Sequence, residues 1–262
     1  MTASTDRAAA LPAAADFAGP VRLSLAAPAY NEAAGIAAVV RDWHACLAAS
    51  PDVAAFEIVV CNDGSRDRTG EILDALAAEL PQLRPLHFAR NQGAAAALAA
   101  AIAATRHDWV LLIDSDGQFP VEDGLAMLAA ARRAGAPAAI GIRQKKDRWF
   151  ARFGTWSSGI ACNLLFGTRL RDFNSAFKAV WGPLLRGLTL EARGMNYSTE
   201  VTARLLECGV RPLEVAVGHR PRATGTSNMR LLRGALHRLL FVCYFALRRL
   251  LIAAGVLMAP RP

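Results

Sequence analysis

Short β-branched or apolar runs alternate with longer helical stretches through the first half of the chain. Val21 to Ala27, Phe56 to Cys61, Arg84 to Phe88, Trp109 to Ile113 and Ala138 to Ile142 read as strands, the fourth of them apolar throughout. Between them, Ala33 to Ala49, Gly70 to Leu80, Ala94 to Thr105 and Val121 to Ala134 read as helices. The third is rich in alanine, which gives up no side-chain entropy on entering a helix. Strands alternating with helices of this length predict an α/β fold with a mostly parallel central sheet and helices on both faces. Such sheets bind ligands beyond the carboxyl ends of their strands. The unusual residues fall there: Pro28-Ala29-Tyr30-Asn31-Glu32 after the first strand, Asn62-Asp63-Gly64-Ser65 after the second, and Asp114-Ser115-Asp116 after the fourth. Three polar clusters on one edge make a site.

The second half is less regular. Trp149 to Phe166 reads as an amphipathic helix, Leu170 to Val180 as a short extended segment, Ser198 to Cys208 as helix and Val210 to Val217 as extended. A polar, basic loop from His219 to Asn228 precedes an apolar, arginine-bearing tail. No internal repeat and no linker rich in Gly, Pro or Ser divides the chain. The expected organisation is a loose tail over residues 1–19, one domain over 20–229 and a helical tail over 230–262. Residues 1–19 lack the basic start and long apolar run of a signal peptide, so a cytosolic protein is expected. Five cysteines (Cys46, Cys61, Cys162, Cys208, Cys243), never in a C-x-x-C pair, predict buried free thiols rather than zinc ligands or disulfides. The formal net charge of +8 implies an acidic partner. Nucleic acid, a nucleotide and an anionic membrane would all satisfy it.

The acidic triplet narrows the choice. Asp114 and Asp116 follow four apolar residues and precede Gly117-Gln118. Carboxylates on alternate positions at a strand end can converge on one ion if the following turn bends. Such oxygen ligands suit Mg²⁺ or Mn²⁺, with substrate phosphates completing the shell. Two like charges about 4 Å apart repel by roughly 4 kcal/mol at an effective dielectric of 20, so a diphosphate beside two aspartates needs a cation between them. The competing reading is a solvated Asp-x-Asp turn. Asp63, directly after an apolar strand, reads as an acceptor for a nucleotide's base or ribose. In the following turn, Gly64 supplies the bend and Thr69 a helix cap, with Asp67 a turn or capping residue.

Taken in order, these motifs resemble the inverting family 2 glycosyltransferases with a GT-A fold, nearest the dolichyl- and polyprenyl-phosphate sugar synthases. The resemblance is carried by the three clusters above, extended to Asp67 and Thr69 and to Gly117-Gln118. It is also carried by Asn91-Gln92-Gly93, Gly141-Ile142-Arg143, Asp172-Phe173-Asn174-Ser175-Ala176-Phe177-Lys178 and Arg222-Ala223-Thr224-Gly225-Thr226-Ser227. It implies that Pro28, Tyr30, Glu32 and Asp63 border the nucleotide of a nucleotide-sugar donor. It also implies that Asp114, Asp116 and Gln118 hold the metal and diphosphate, with Arg143, Arg222 and Ser227 toward donor or acceptor phosphates. Two departures bear on the acceptor side. Asn228 stands where the family often has Lys, and Ala176 where it often has Gly.

Inverting transfer needs a nucleophile opposite the leaving diphosphate. A hydroxyl acceptor requires a general base, for which Asp172, or else Glu200, is the candidate. A lipid phosphate is already ionised and needs cations instead, which Arg143, Lys145, Lys146, Arg148 and Arg152 could supply. The tail's apolar stretches, Leu239 to Leu247 and Leu250 to Met258, fall short of the roughly 20 residues that span a bilayer. Its basic residues lie on about half of a helix circumference, which predicts a helix in the interface of an anionic membrane. A core-packing or homodimer helix is the alternative. The expected protein is thus an enzyme peripheral to the cytoplasmic membrane face, moving a sugar onto polyprenyl phosphate or another membrane-associated acceptor. The alternative outside enzymes is a non-catalytic nucleotide-sugar or lipid-binding module. The positive residues accompany apolar faces and match no nucleic-acid motif, so no nucleic-acid partner is expected.

Overall fold

A computed structural model describes residues 11–13, 17–143, 159–191, 196–220, 242–248, 250–251 and 254–256. In the first half, β1 (Val21–Ala29), β2 (Val53–Asn62), β3 (Leu83–His87), β4 (Trp109–Leu112) and β5 (Ala138–Arg143) alternate with four helices. These are α1 (Ile36–Ala49), α2 (Thr69–Glu79), α3 (Ala94–Ala104) and α4 (Val121–Arg133). The second half adds helical residues 159–166 (α5), β6 (Lys178–Trp181), α6 (Gly182–Gly187), α7 (Tyr197–Glu207), β7 (Leu213–Val217) and helical residues 242–248 (α8).

The strands form one seven-stranded sheet in the order β3-β2-β1-β4-β6-β5-β7. It is parallel except at β6, which runs antiparallel to both β4 and β5. Every residue of β4 and β6 is buried, as expected of central strands covered on two faces. Helix α1 buries Ile36, Val40, Trp43 and Leu47, one stripe at helical spacing, and contacts α2 and α4. Helix α3 packs on β1 and β2 and also meets α6 and α7. Its small alanines let neighbours approach on several sides, which is why it shows no single apolar stripe.

Three sequence expectations change here. Of Leu170 to Val180, only the last three residues enter β6. Residues 171–174 form turns, in which Ser175 N–H reaches back to the Asp172 carbonyl. The six-residue helix α6, with Pro183 in its first turn, was not anticipated. Thr69 is the first residue of α2 rather than its cap. Its backbone N–H is taken by the Asp67 carboxylate at 3.0 Å, while its hydroxyl accepts the Glu32 N–H at 2.9 Å.

Of the expected helix Trp149 to Phe166, only the last eight residues are described, and they are helical. The tail is part of the folded body where it is described. Phe245 on α8 is 2% exposed and packs with Cys162, Phe166, Phe173 and Ala203 in a second apolar cluster. Polar contacts reinforce this, Arg248 pairing with Glu207 at 3.2 Å and Tyr244 donating to Glu191 at 2.5 Å. Among the described residues, no helix is long and apolar enough to cross a membrane. All five cysteines are free, but only Cys61 and Cys162 are buried, and Cys243 is exposed. Burial explains why their thiols are pushed up, to about 12 for Cys61 and about 11 for Cys162.

Candidate active site

The carboxyl ends of β1, β2 and β4 lie side by side, and their loops are stitched together by side chains. Ser115, between the two aspartates, is buried and donates to the Pro28 carbonyl at 2.7 Å, tying the end of β4 to the end of β1. The loop after β1 leans on the loop after β2. Asn31 N–H donates to Ser65 Oγ, its side-chain oxygen accepts Arg66 N–H, and Ala33 N–H donates to Asp67. Tyr30 and Glu32 are half-buried in this seam.

Asp63 is 2% exposed, and its carboxylate is engaged by the third loop. It accepts Gln92 N–H at 2.7 Å, Gly93 N–H at 2.9 Å and Asn91 Nδ2 at 2.8 Å. An anion is thereby fixed at the start of α3, where helix N–H groups favour negative charge. The two loops approach so closely that a Cβ on Gly64 would meet the Arg90 carbonyl carbon at 2.4 Å, and Gly64 also has a φ of +61°. Asp63 thus shapes the Asn91–Gly93 loop; sequence reasoning had assigned it only to the nucleotide.

Asp114 and Asp116 stand at the exit of β4, both half-buried. Burial and then the neighbouring Asp116 charge raise the Asp114 carboxyl to about 6, although Tyr197 donates to its Oδ1 at 2.5 Å. Asp116 Oδ1 accepts the Gln118 N–H at 3.1 Å. The Gln118 amide nitrogen donates to the Arg220 carbonyl at 3.3 Å, so Gln118 also fastens the segment after β7 to this edge.

The antiparallel strand completes the site. Because β6 runs backwards between β4 and β5, its first residue, Lys178, lies level with Leu112 of β4 and Ile140 of β5. Residues just before β6 therefore reach the edge where β4 and β5 end. There Arg143 grips Asp172 with two bonds, Nε to Oδ2 at 2.7 Å and a terminal nitrogen to Oδ1 at 2.9 Å. Burial works against the Arg143 charge, but the Asp172 bonds outweigh it and hold the guanidinium protonated. Lys178 is 1% exposed, donates to the Ser175 and Ser198 carbonyls, and is pushed down by burial to about 7.

Asp114, Asp116, Gln118, Arg143 and Asp172 are thus gathered at one sheet edge, with Pro28, Tyr30, Glu32 and Asp63 in the adjoining loops. Glu200, the other base candidate, is 1% exposed on α7, where it accepts the Glu191 N–H and faces Arg204 at 3.5 Å. Arg222 and Ser227, like Lys145, Lys146, Arg148 and Arg152, lie outside the described residues. Tyr197 and Lys178 were missed as site residues. For Lys178 a signal existed, a lysine opening an apolar strand; for Tyr197 there was none, since it lies 83 positions from Asp114.

The donor set fits a hard divalent cation. A partly buried carboxylate raised by its neighbour gains from a positive ion beside it. Among the described residues no group of three His, Cys, Asp or Glu could enclose a metal. Two carboxylates that leave the remaining positions to phosphate oxygens are a common arrangement for Mg²⁺.

Known proteins share sequence and fold with this chain. Glycosyltransferase AglD of Haloferax volcanii is 33% identical over 233 residues, covering 86% of this chain and 37% of that protein. The undecaprenyl-phosphate 4-deoxy-4-formamido-L-arabinose transferase of Aeromonas hydrophila is 27% identical over 212 residues, covering 80% of this chain and 63% of that protein. The chain thus spans less than two thirds of the length of either relative. In fold it is similar to glucosyl-3-phosphoglycerate synthase of Mycobacterium tuberculosis, solved with Mn²⁺, uridine diphosphate and glucosyl-3-phosphoglycerate. The TM-score is 0.64 at 22% identity, covering 93% of this chain and 86% of that one, which establishes a shared GT-A-like architecture. The profile described as Glycosyl transferase family 2 matches residues 24–195, well over half of the chain, and the chain belongs to that family.

Proposed function

We propose that this chain transfers a sugar, with inversion, from a nucleotide-sugar donor to a polyprenyl phosphate or another membrane-associated phosphate acceptor. The observation that carries the choice of acceptor is the Arg143–Asp172 pair. Asp172, the candidate base, has both of its oxygens held by the guanidinium. A hydroxyl nucleophile would lack its proton acceptor there. A phosphate nucleophile needs none, and finds the Arg143 guanidinium near the aspartates.

In this reading Asp114 and Asp116, with Gln118, hold Mg²⁺ or Mn²⁺. When bound, that ion supplies positive charge to the diphosphate as its bond to the sugar breaks. Pro28, Tyr30, Glu32 and the loop organised by Asp63 border the nucleotide, and Arg222 and Ser227 serve the phosphates. A phosphate oxygen of the acceptor attacks the anomeric carbon opposite the departing diphosphate. The names of the Haloferax and Aeromonas relatives support glycosyl transfer, and the second names undecaprenyl phosphate. The Mn²⁺ and uridine diphosphate in the Mycobacterium structure support the metal and the donor class. Exposed Ile160 and Leu164 on α5, with Leu247, Leu250 and Val256 near the C-terminus, offer an apolar face to a lipid surface. The protein would then sit peripherally on the membrane, with α8 packed on the domain as well as facing lipid.

The test is transfer from UDP-, GDP- and dTDP-sugars to polyprenyl phosphate in vesicles, with and without Mn²⁺, for the wild type and Asp116→Ala. Product should require both Mn²⁺ and Asp116, and its loss should exceed a hundredfold. Transfer to a hydroxyl acceptor with none to the lipid phosphate would overturn the acceptor. Comparable turnover by Asp116→Ala would overturn the metal site.

A further inference from the structure

We infer that Tyr197 is a positioning residue that presents Asp114 to the divalent cation. The inference rests on Asp114 being a metal ligand, as proposed above. Tyr197 is 7% exposed, and its hydroxyl donates to one Asp114 oxygen at 2.5 Å, leaving the other oxygen for the ion. A carboxylate next to a second carboxylate is driven to rotate away, and a hydrogen bond holding one of its oxygens opposes that rotation. Partners of this kind around metal ligands commonly contribute 10- to 100-fold in metal affinity.

The phenol can do this because the start of α7 is itself anchored. Lys178 Nζ donates to the Ser198 carbonyl at 2.9 Å, and Thr199 Oγ1 to Asn174 at 2.7 Å. One turn on, Thr202 Oγ1 donates to the Phe173 carbonyl at 3.0 Å. Three bonds join the first two turns of α7 to the start of β6 and the segment before it, and Tyr197 carries that fixed position across to the end of β4. A ligand already held in place loses less freedom when the ion binds.

Binding of Mn²⁺ alone, followed by the loss of the free-ion paramagnetic resonance signal, tests the inference without relying on turnover. Tyr197→Phe keeps the ring and removes only the hydroxyl, and should weaken Mn²⁺ binding at least about tenfold. Leu76→Ala, a core truncation on α2 rather than α7, should bind Mn²⁺ as the wild type does, even if its melting temperature falls. Asp114→Asn separates the two ideas. If it abolishes binding while Tyr197→Phe stays within twofold of wild type, the positioning role is refuted and the metal site stands. If Asp114→Asn itself binds normally, both fall. Equal weakening by Tyr197→Phe and Leu76→Ala would reduce the effect to overall stability and overturn the inference.

Discussion

Asp63→Ala should damage stability and donor binding together. The carboxylate accepts three N–H donors from Asn91, Gln92 and Gly93 at 2.7–2.9 Å, in a residue 2% exposed. A hydrogen bond to a charged group contributes about 1.5–3 kcal/mol. The three are not additive, because one loop makes them all, and water reaches the partly buried donors once the carboxylate is gone. A loss of about 3 kcal/mol is therefore expected, or roughly 6–12 °C in melting temperature for a chain of this size. Asp63→Asn keeps one acceptor oxygen but turns an amide N–H₂ toward other donors, and should lose nearly as much. Urea unfolding at pH 7 gives the stability. Kinetics well below the melting temperature should give a raised KM for the donor with kcat little changed, since in the proposed reading the loop borders the nucleotide in ground and transition states alike. A stability loss under about 1 kcal/mol would refute the reasoning, because three charge-assisted bonds cannot be silent when their common acceptor is removed.

Three further outcomes follow from buried groups and from the tail. Lys178, ordinarily near 10.5, is pushed down to about 7 by burial. Between those values the unfolded chain holds a proton that the folded chain has released, so stability should rise with pH across this window, by at most about 1.4 kcal/mol per unit. Below about pH 7 both states hold the proton and this slope disappears. Lys178→Met should abolish the rise, and an unchanged slope in urea titrations from pH 7 to 10 would remove Lys178 as its source. On α8, Phe245→Ala should cost about 3–5 kcal/mol as a buried aromatic truncation. Leu247→Glu combined with Leu250→Glu changes residues 57% and 68% exposed, and should leave stability within about 0.5 kcal/mol. The double variant should float severalfold less with anionic vesicles, and undiminished flotation would take this face out of the membrane contact.

The alternation of strand and helix was legible in the sequence because both periods are local. Val21–Ala29 and Val53–Asn62 are mostly apolar and Trp109–Leu112 wholly so, with helices in the intervals. From that alternation alone, parallel strands follow, and with them a shared carboxyl edge bearing Asp63, Asp114 and Asp116. Which charges would face those aspartates was not legible. It depended on β6 entering the sheet backwards between β4 and β5, and nothing in Lys178–Trp181 announces its partners or its direction. That reversal brings Asp172 and Lys178 to the edge where Arg143 ends β5, and there Asp172 meets the Arg143 guanidinium. The same limit applies to Asp63, whose partners lie about 30 positions away, and to Tyr197, which reaches Asp114 from the start of α7. The tail shows it too. The pattern of arginines and leucines suits an interfacial helix, yet the cluster formed by Phe166 and Phe173 draws Phe245 into the domain. Local periodicity records which residues seek burial, and only the packed chain decides what they are buried against.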